Sequence, residues 1–350
     1  MKKIEKLDAI RGLVALYVVL HHIFLGAHYP LFGINIAALF EYGAAAVMVF
    51  FVLSGFVIQL SFENSKDKSF RTFFVKRFFR IYIPLICVFI ANYLLILIQG
   101  KPIEDSLLHN LVGNLLMLQN VSLYSPEHIE FGTFLGNAPL WSLTFEWWFY
   151  MIYFVLVKYC NRYATRIVYI AAIISVFISI VYPIFYNKLL IFLVIWWSGV
   201  ELAKLYAQNK RITFISMYRP LLVLTTIVVI LFLSLQFNIV NEQYKSYVNV
   251  TYFYMKFSLI VLLGGIVWHL LKWRLFNQTI GVFKYFANIS YGIYISHWFL
   301  IVTADYLSFI QNSFIRYPMY LLICLGFSYL IERVIYVRLN KYFMKRVFHK

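Results

Sequence analysis

The chain has 350 residues, 63% of them hydrophobic and 20% aromatic, with 13% charged and a formal net charge of +17. Soluble domains run at about 45–50% apolar and roughly 25% charged, so a soluble chain of this length could not hide so much apolar surface. These figures exclude a secreted disulfide scaffold, a disordered regulator and an ordinary cytosolic enzyme, and they predict a protein whose solvent is lipid.

Read in chain order, the start, with Lys6 before an apolar run, resembles a signal peptide. Arg11, His21 and His22 interrupt that run, so it is expected to be a retained first span. A span needs about 20 mainly apolar residues. Ten stretches qualify, near 9–27, 37–61, 78–98, 139–157, 167–185, 189–207, 220–237, 251–271, 285–303 and 317–337. Leu107–Leu118 is too brief to cross, and no polar stretch is long enough for a separate soluble domain. The expectation is an all-α polytopic membrane protein, one domain over 1–350, with about ten transmembrane helices. Cys87, Cys160 and Cys324 are far apart and give no disulfide framework.

Topology follows from the basic residues, which collect in cytoplasmic loops. With the N-terminus inside, 25 Lys and Arg fall at the inner side. Only Lys101, Lys188, Lys245, Lys256 and Arg316 fall at the outer side, and Arg11 lies within the first span. Both termini are therefore expected in the cytoplasm. The net charge reads as orientation, with no nucleic-acid partner.

Ionisable groups at membrane depth are costly and mark function by default. Arg11 and His22 are eleven residues apart; at about 100° per residue they face one side of a helix, His22 about 16 Å deeper. His21 points away and is expected to pack or face a loop. Arg77 and Arg80, at i,i+3, share a face and suit phosphate, although basic residues at a helix end also commonly set topology. Ser142 and Glu146 share a face at i,i+4, beside Trp141. Counting rise along three helices brings His22, Glu146 and His297 to one level, roughly 10 Å below the outer edge of the hydrocarbon core. Leu53-Ser54-Gly55-Phe56, at the end of the second span, allows close helix approach or substrate passage, packing being the reading preferred, and Glu332-Arg333 reads as a local ion pair. No HExxH, Walker loop, GxGxxG or GxSxG occurs.

Taken together, Leu7-Asp8-Ala9-Ile10-Arg11-Gly12 with His22, Phe50-Phe51-Val52-Leu53-Ser54-Gly55-Phe56, Arg77-Phe78-Phe79-Arg80, Trp141-Ser142-Leu143 with Glu146, and Ser290-Tyr291-Gly292-Ile293-Tyr294 with His297 resemble the acyltransferase-3 family of integral membrane acyltransferases. The resemblance covers residues 5–337. Ala9 stands where the family often has Gly, and no proline follows Glu332-Arg333-Val334.

The resemblance implies transfer of an acyl group, usually acetyl, from cytoplasmic acyl-CoA to a hydroxyl of a cell-surface glycan or lipid-linked saccharide at the bacterial inner membrane, without a metal. Its Arg-x10-His pair maps onto Arg11 and His22, and its Arg-x-x-Arg onto Arg77 and Arg80. On this reading His22 is the general base, Arg11 and Glu146 are catalytic, and Arg77, Arg80 and Arg11 hold acyl-CoA. Trp141, Ser142 and His297 meet the acceptor, and the pantetheine arm brings the thioester to the level of His22. The rival class is a transporter or flippase for a lipid-linked glycan or small anionic solute, since intramembrane His, Glu and Arg also mark substrate pathways. Against it, the chain lacks an evident internal repeat.

Overall fold

The computed structural model describes residues 4–25, 30–31, 34–123 and 128–348. Lys2, Lys3, Glu127 and Lys350, which belong to the charge pattern of the sequence, lie outside them. The protein is helical. In chain order come α1 (Glu5–Phe24), α2 (Gly43–Glu63), α3 (Phe70–Ile98), α4 (Leu107–Leu115), α5 (Trp141–Tyr159), α6 (Ala164–Val181), α7 (Phe185–Ala207), α8 (Tyr218–Gln236), α9 (Glu242–Leu270), α10 (Phe276–Thr279), α11 (Ser290–His297), α12 (Ser313–Tyr329) and α13 (Tyr336–Phe348). The described strands are a two-residue antiparallel pair, Pro30–Leu31 with Ile34–Asn35. In hydrocarbon every backbone donor needs an internal partner, and long helices supply it within the segment.

Among the described residues nine helices are long and apolar enough to cross a membrane. The segment expected as a full span over 285–303 differs. It enters through 3-10 turns at Gly281–Tyr285 and Ala287–Ile289, continues as α11, and ends in a π-helical turn at Trp298–Val302. Residues 290–302 reach only about 20 Å, short of a core about 30 Å thick. The break is tolerated because the segment is sheathed by protein: Ser290, Gly292 and Ile293–His297 are all buried, packed against α1 and α12.

The final span also differs. Ser313–Phe348 runs as one 36-residue rod, about 54 Å long, far more than a bilayer core requires. A π-helical turn at Leu330–Ile335 interrupts it, and that extra residue per turn aims Glu332 inward, where it is buried. Beyond it α13 buries no residue. Phe343 stacks on Phe79 of α3 at 5.2 Å, and Arg71 donates to the Val347 carbonyl at 3.0 Å.

The tightest helix pair is α2 with α7. A Cβ on Gly55 would lie 2.0 Å from the Trp196 carbonyl oxygen, and one on Gly199 would lie 1.9 Å from that of Val52. The two glycines let the backbones touch, the device by which membrane helices associate where hydrophobicity offers no discrimination. Gly55 thus sits mid-helix, well inside α2 rather than at its end. Around the pair lies an aromatic core of Phe51, Phe145, Phe149, Phe192 and Trp196, with rings 5.3–6.5 Å apart.

At α3, Ser69 caps the helix by accepting from the Thr72 N–H. The Thr72 hydroxyl, with the Ser69 N–H and hydroxyl, holds the Asp67 carboxyl below the usual carboxylate range. At the other side of the protein α4 is a short helix, and Asn110 and Asn114 pin it to the chain at Gly132–Phe134.

Candidate active site

A cavity of about 170 Å³ opens between α1, α2, α3, α5 and α11. Its polar lining comprises Arg11, Ser54, Arg77, Arg80, Ser142, Glu146, Tyr150, Ser290, Tyr291 and Tyr294; Val47, Phe50, Phe51, Leu53 and Ile81 are among the apolar walls. Arg77 and Arg80 do share a face, as i,i+3 spacing predicts, and Ser142 and Glu146 share another.

The three guanidinium groups are not equivalent. Arg80 forms an ion pair with Glu332, whose second oxygen accepts from Arg80 at 3.4 Å and also from the Gly292 N–H at 3.0 Å. The rings of Tyr291 and Tyr336 flank it at 5.5 and 5.2 Å. Glu332 is therefore Arg80's partner, which corrects the expectation of a local Glu332-Arg333 pair. Arg11 faces Asp8 at 3.8 Å. Arg77 has a hydroxyl instead: it donates to Ser61 Oγ at 2.8 Å, and its buried Nε has no hydrogen-bond partner among the described residues. Arg77 thus stands at the cavity wall with no carboxylate paired to it among the described residues, an arrangement that suits an anionic ligand.

Glu146 accepts hydrogen bonds from Ser54 Oγ at 2.9 Å and from the Tyr150 hydroxyl. Ser54 also receives the Trp196 indole N–H at 3.2 Å. Ser142 Oγ and the Tyr294 hydroxyl are 2.8 Å apart. Sequence reasoning took Ser54 for a packing residue and gave Tyr150 and Tyr294 no role; a lone hydroxyl in an apolar helix was the only available signal.

The histidines meet elsewhere. His297 Nε2 lies 3.0 Å from His22 Nδ1, with the rings stacked at 5.1 Å, and Trp298 stands edge-on to His22 at 5.1 Å. His297 is fully buried, and its Nδ1 is 3.1 Å from the Ile293 carbonyl oxygen. That oxygen only accepts, so Nδ1 of His297 carries the proton. In the neutral ring Nε2 is then an acceptor, and His22 must present Nδ1–H to it. This assigns His22 the tautomer whose lone pair is on Nε2, the atom a general base uses. His21 turns to the Phe40 carbonyl oxygen at 2.6 Å, the loop-facing role expected of it.

Of His22, Glu146 and His297, the two histidines touch, while Glu146 makes its hydrogen bonds to Ser54 and Tyr150 at the cavity. Residue rise gives depth along a helix, but the neighbour each face meets is set by packing, and α2 presents Ser54 to Glu146. Neither histidine lines the cavity, so its end stops short of His22. Tyr294 belongs to both surroundings: it lines the cavity, and its ring centre is 6.1 Å from that of His297. Trp141 lies outside the cavity and stacks parallel to Tyr254 at 6.1 Å.

A helical membrane protein with a cationic cavity, an intramembrane carboxylate and a histidine pair is consistent with group transfer at a membrane. The family can be stated. Residues 4–333 match the acyltransferase domain family, and the chain belongs to it. Acyltransferase MdmB of Streptomyces mycarofaciens is 36% identical over 113 residues, which cover 32% of this chain and 27% of that protein. No solved structure gives a significant match.

Proposed function

We propose that this membrane acyltransferase takes an acyl group, most simply acetyl, from cytoplasmic acyl-CoA and places it on a hydroxyl of a cell-surface glycan or lipid-linked saccharide at the bacterial inner membrane, with both termini in the cytoplasm. The observation that carries the reading is Arg77, a cavity-lining guanidinium with no carboxylate partner among the described residues. α3 is about 44 Å long, so its first turns project beyond a core about 30 Å thick and hold Arg77 near the inner boundary. There it would meet the phosphates of CoA, with Arg11 adding charge. Arg80, already matched by Glu332, contributes mainly by fixing α3 against the last helix.

The pantetheine arm would run along Ser54, Glu146 and Tyr150 and bring the thioester to Tyr294. The acceptor hydroxyl arrives from the side of the histidine pair. His22 Nε2 takes its proton as the oxygen attacks the thioester carbonyl; the C–S bond breaks and the CoA thiolate leaves. The hydroxyls of Tyr294 and Ser142 are placed to donate to the carbonyl oxygen as charge develops on it. Keeping the thioester in a protein-walled cavity limits its hydrolysis.

The test is calorimetric binding of acetyl-CoA to the purified protein, alongside release of CoA thiol. Binding lost in Arg77→Ala, and thiol release lost in His22→Ala with binding intact, is the expected result. Absence of binding to acetyl-CoA or longer acyl-CoAs by folded protein would overturn the reading in favour of solute transport.

A further inference from the structure

The starts of α5, α7 and α9 meet on the side of the protein away from Arg77. Lys188, in the first turn of α7, places its ammonium 4.7 Å from the ring centre of Tyr247, 5.7 Å from Phe192 and 6.0 Å from Tyr254. Two other basic residues of this side have carboxylates, Lys101 with Asp305 at 2.8 Å and Lys245 with Glu242 at 3.0 Å, while Lys256 and Arg316 each lie over a single tyrosine ring. Lys188 makes no ion pair among the described residues; rings hold its ammonium in place without neutralising it. A half-buried cation so placed is incomplete electrostatically, and an anion would complete it.

The cage continues toward the reaction site. Tyr254 stacks on Trp141 with the ring planes 11° apart, and both are half-buried. The residue after Trp141 is Ser142, whose hydroxyl meets Tyr294 at the cavity wall. Ammonium and flat aromatic pair thus form one strip, and the hydroxyl pair lies on the next face of α5, about 100° round the helix. Aromatic faces suit the apolar C–H face of a sugar ring.

We infer that this strip docks the acceptor, and that the acceptor is an anionic saccharide: a phosphate or carboxylate on Lys188, a sugar ring on Trp141 and Tyr254, and the reacting hydroxyl directed toward Tyr294 and His22. The inference rests on the acyltransferase reading for its placement of the hydroxyl, but the anion site is testable by itself.

The experiment uses full-length protein in nanodiscs of zwitterionic lipid, which supply no anionic headgroup, titrated with glucose 1-phosphate, glucuronate and glucose. Wild type is expected to bind a charged sugar at least about tenfold more tightly than glucose, the ratio one charge-assisted hydrogen bond confers. Lys188→Gln should lose that preference and Lys188→Arg should keep it, with acetyl-CoA binding unchanged in both. A preference for the phosphate identifies a phosphorylated carrier or sugar as the source; one for the carboxylate identifies an acidic sugar. Equal binding of charged and neutral sugars by wild type, or a preference that survives Lys188→Gln, would overturn the inference. Failure to bind acetyl-CoA with the sugar preference intact would instead count against the donor reading alone.

Discussion

Glu332 and Arg80, 252 positions apart in sequence, form an ion pair that ties the last transmembrane rod to the cavity wall. The Glu332 carboxylate is almost fully buried and also holds the Gly292 N–H, whereas Arg80 keeps 37% of its side-chain surface exposed. Glu332→Gln leaves Arg80 without its counter-charge. Breaking a buried pair costs about 3–5 kcal/mol, and the exposure of Arg80 reduces this to about 2–3 kcal/mol. A thermal unfolding midpoint lowered in Glu332→Gln, but not in Arg333→Gln, is the expected outcome; equal midpoints would show that the pair does not hold the rod.

Arg77 and Arg80 should separate in binding. Arg77→Ala is expected to weaken acetyl-CoA by about tenfold or more, since it removes a cavity-wall charge that no carboxylate neutralises. Arg80→Ala should act first on stability. Calorimetry and thermal unfolding on both variants would check this, and identical profiles would contradict the division of roles.

The histidine pair predicts two distinct losses. His22→Ala should lower turnover by about 10²–10⁴-fold, the range of general-base catalysis, without preventing acetyl-CoA binding. His297→Gln keeps an acceptor for the His22 Nδ1–H, so it should retain more activity than His297→Leu and alter the pH profile of turnover. Equal activity and unshifted profiles in the two His297 variants would mean that His297 does not set the His22 tautomer.

Gly55→Ala places a methyl group 2.0 Å from the Trp196 carbonyl oxygen. Forcing α2 and α7 apart should cost about 1–3 kcal/mol and displace Ser54 from Glu146. Lower thermal stability together with reduced turnover is expected. Gly264→Ala, where nothing lies within 4 Å of the new carbon, is the control and should change neither.

Tyr294→Phe keeps the ring between cavity and histidine pair but removes the hydroxyl that meets Ser142. Turnover should fall while acetyl-CoA binding stays, because the lost group acts on developing charge rather than on the bound donor. Steady-state thiol release measured beside calorimetry decides it; a loss of binding alone would place the hydroxyl in donor recognition.

The helical class, the membrane setting and most span positions were legible in the sequence, because in lipid the length of an apolar run and the demand for internal hydrogen bonding leave little choice. The shared faces of Arg77 with Arg80 and of Ser142 with Glu146 were legible too, since helical spacing alone fixes them. Which face meets which is a different matter. Nothing local says that Glu332 belongs to Arg80, that Ser54 belongs to Glu146, or that His297 and not Glu146 stands against His22. The broken segment at 285–303 and the π-helical turn at Leu330–Ile335 were equally hidden, because they are permitted by surrounding protein rather than by their own residues. Sequence determined where the long apolar helices run through the bilayer's one-dimensional constraint; only the lateral packing of helices, led by the glycine contact of α2 with α7, decided the partners and hence the site.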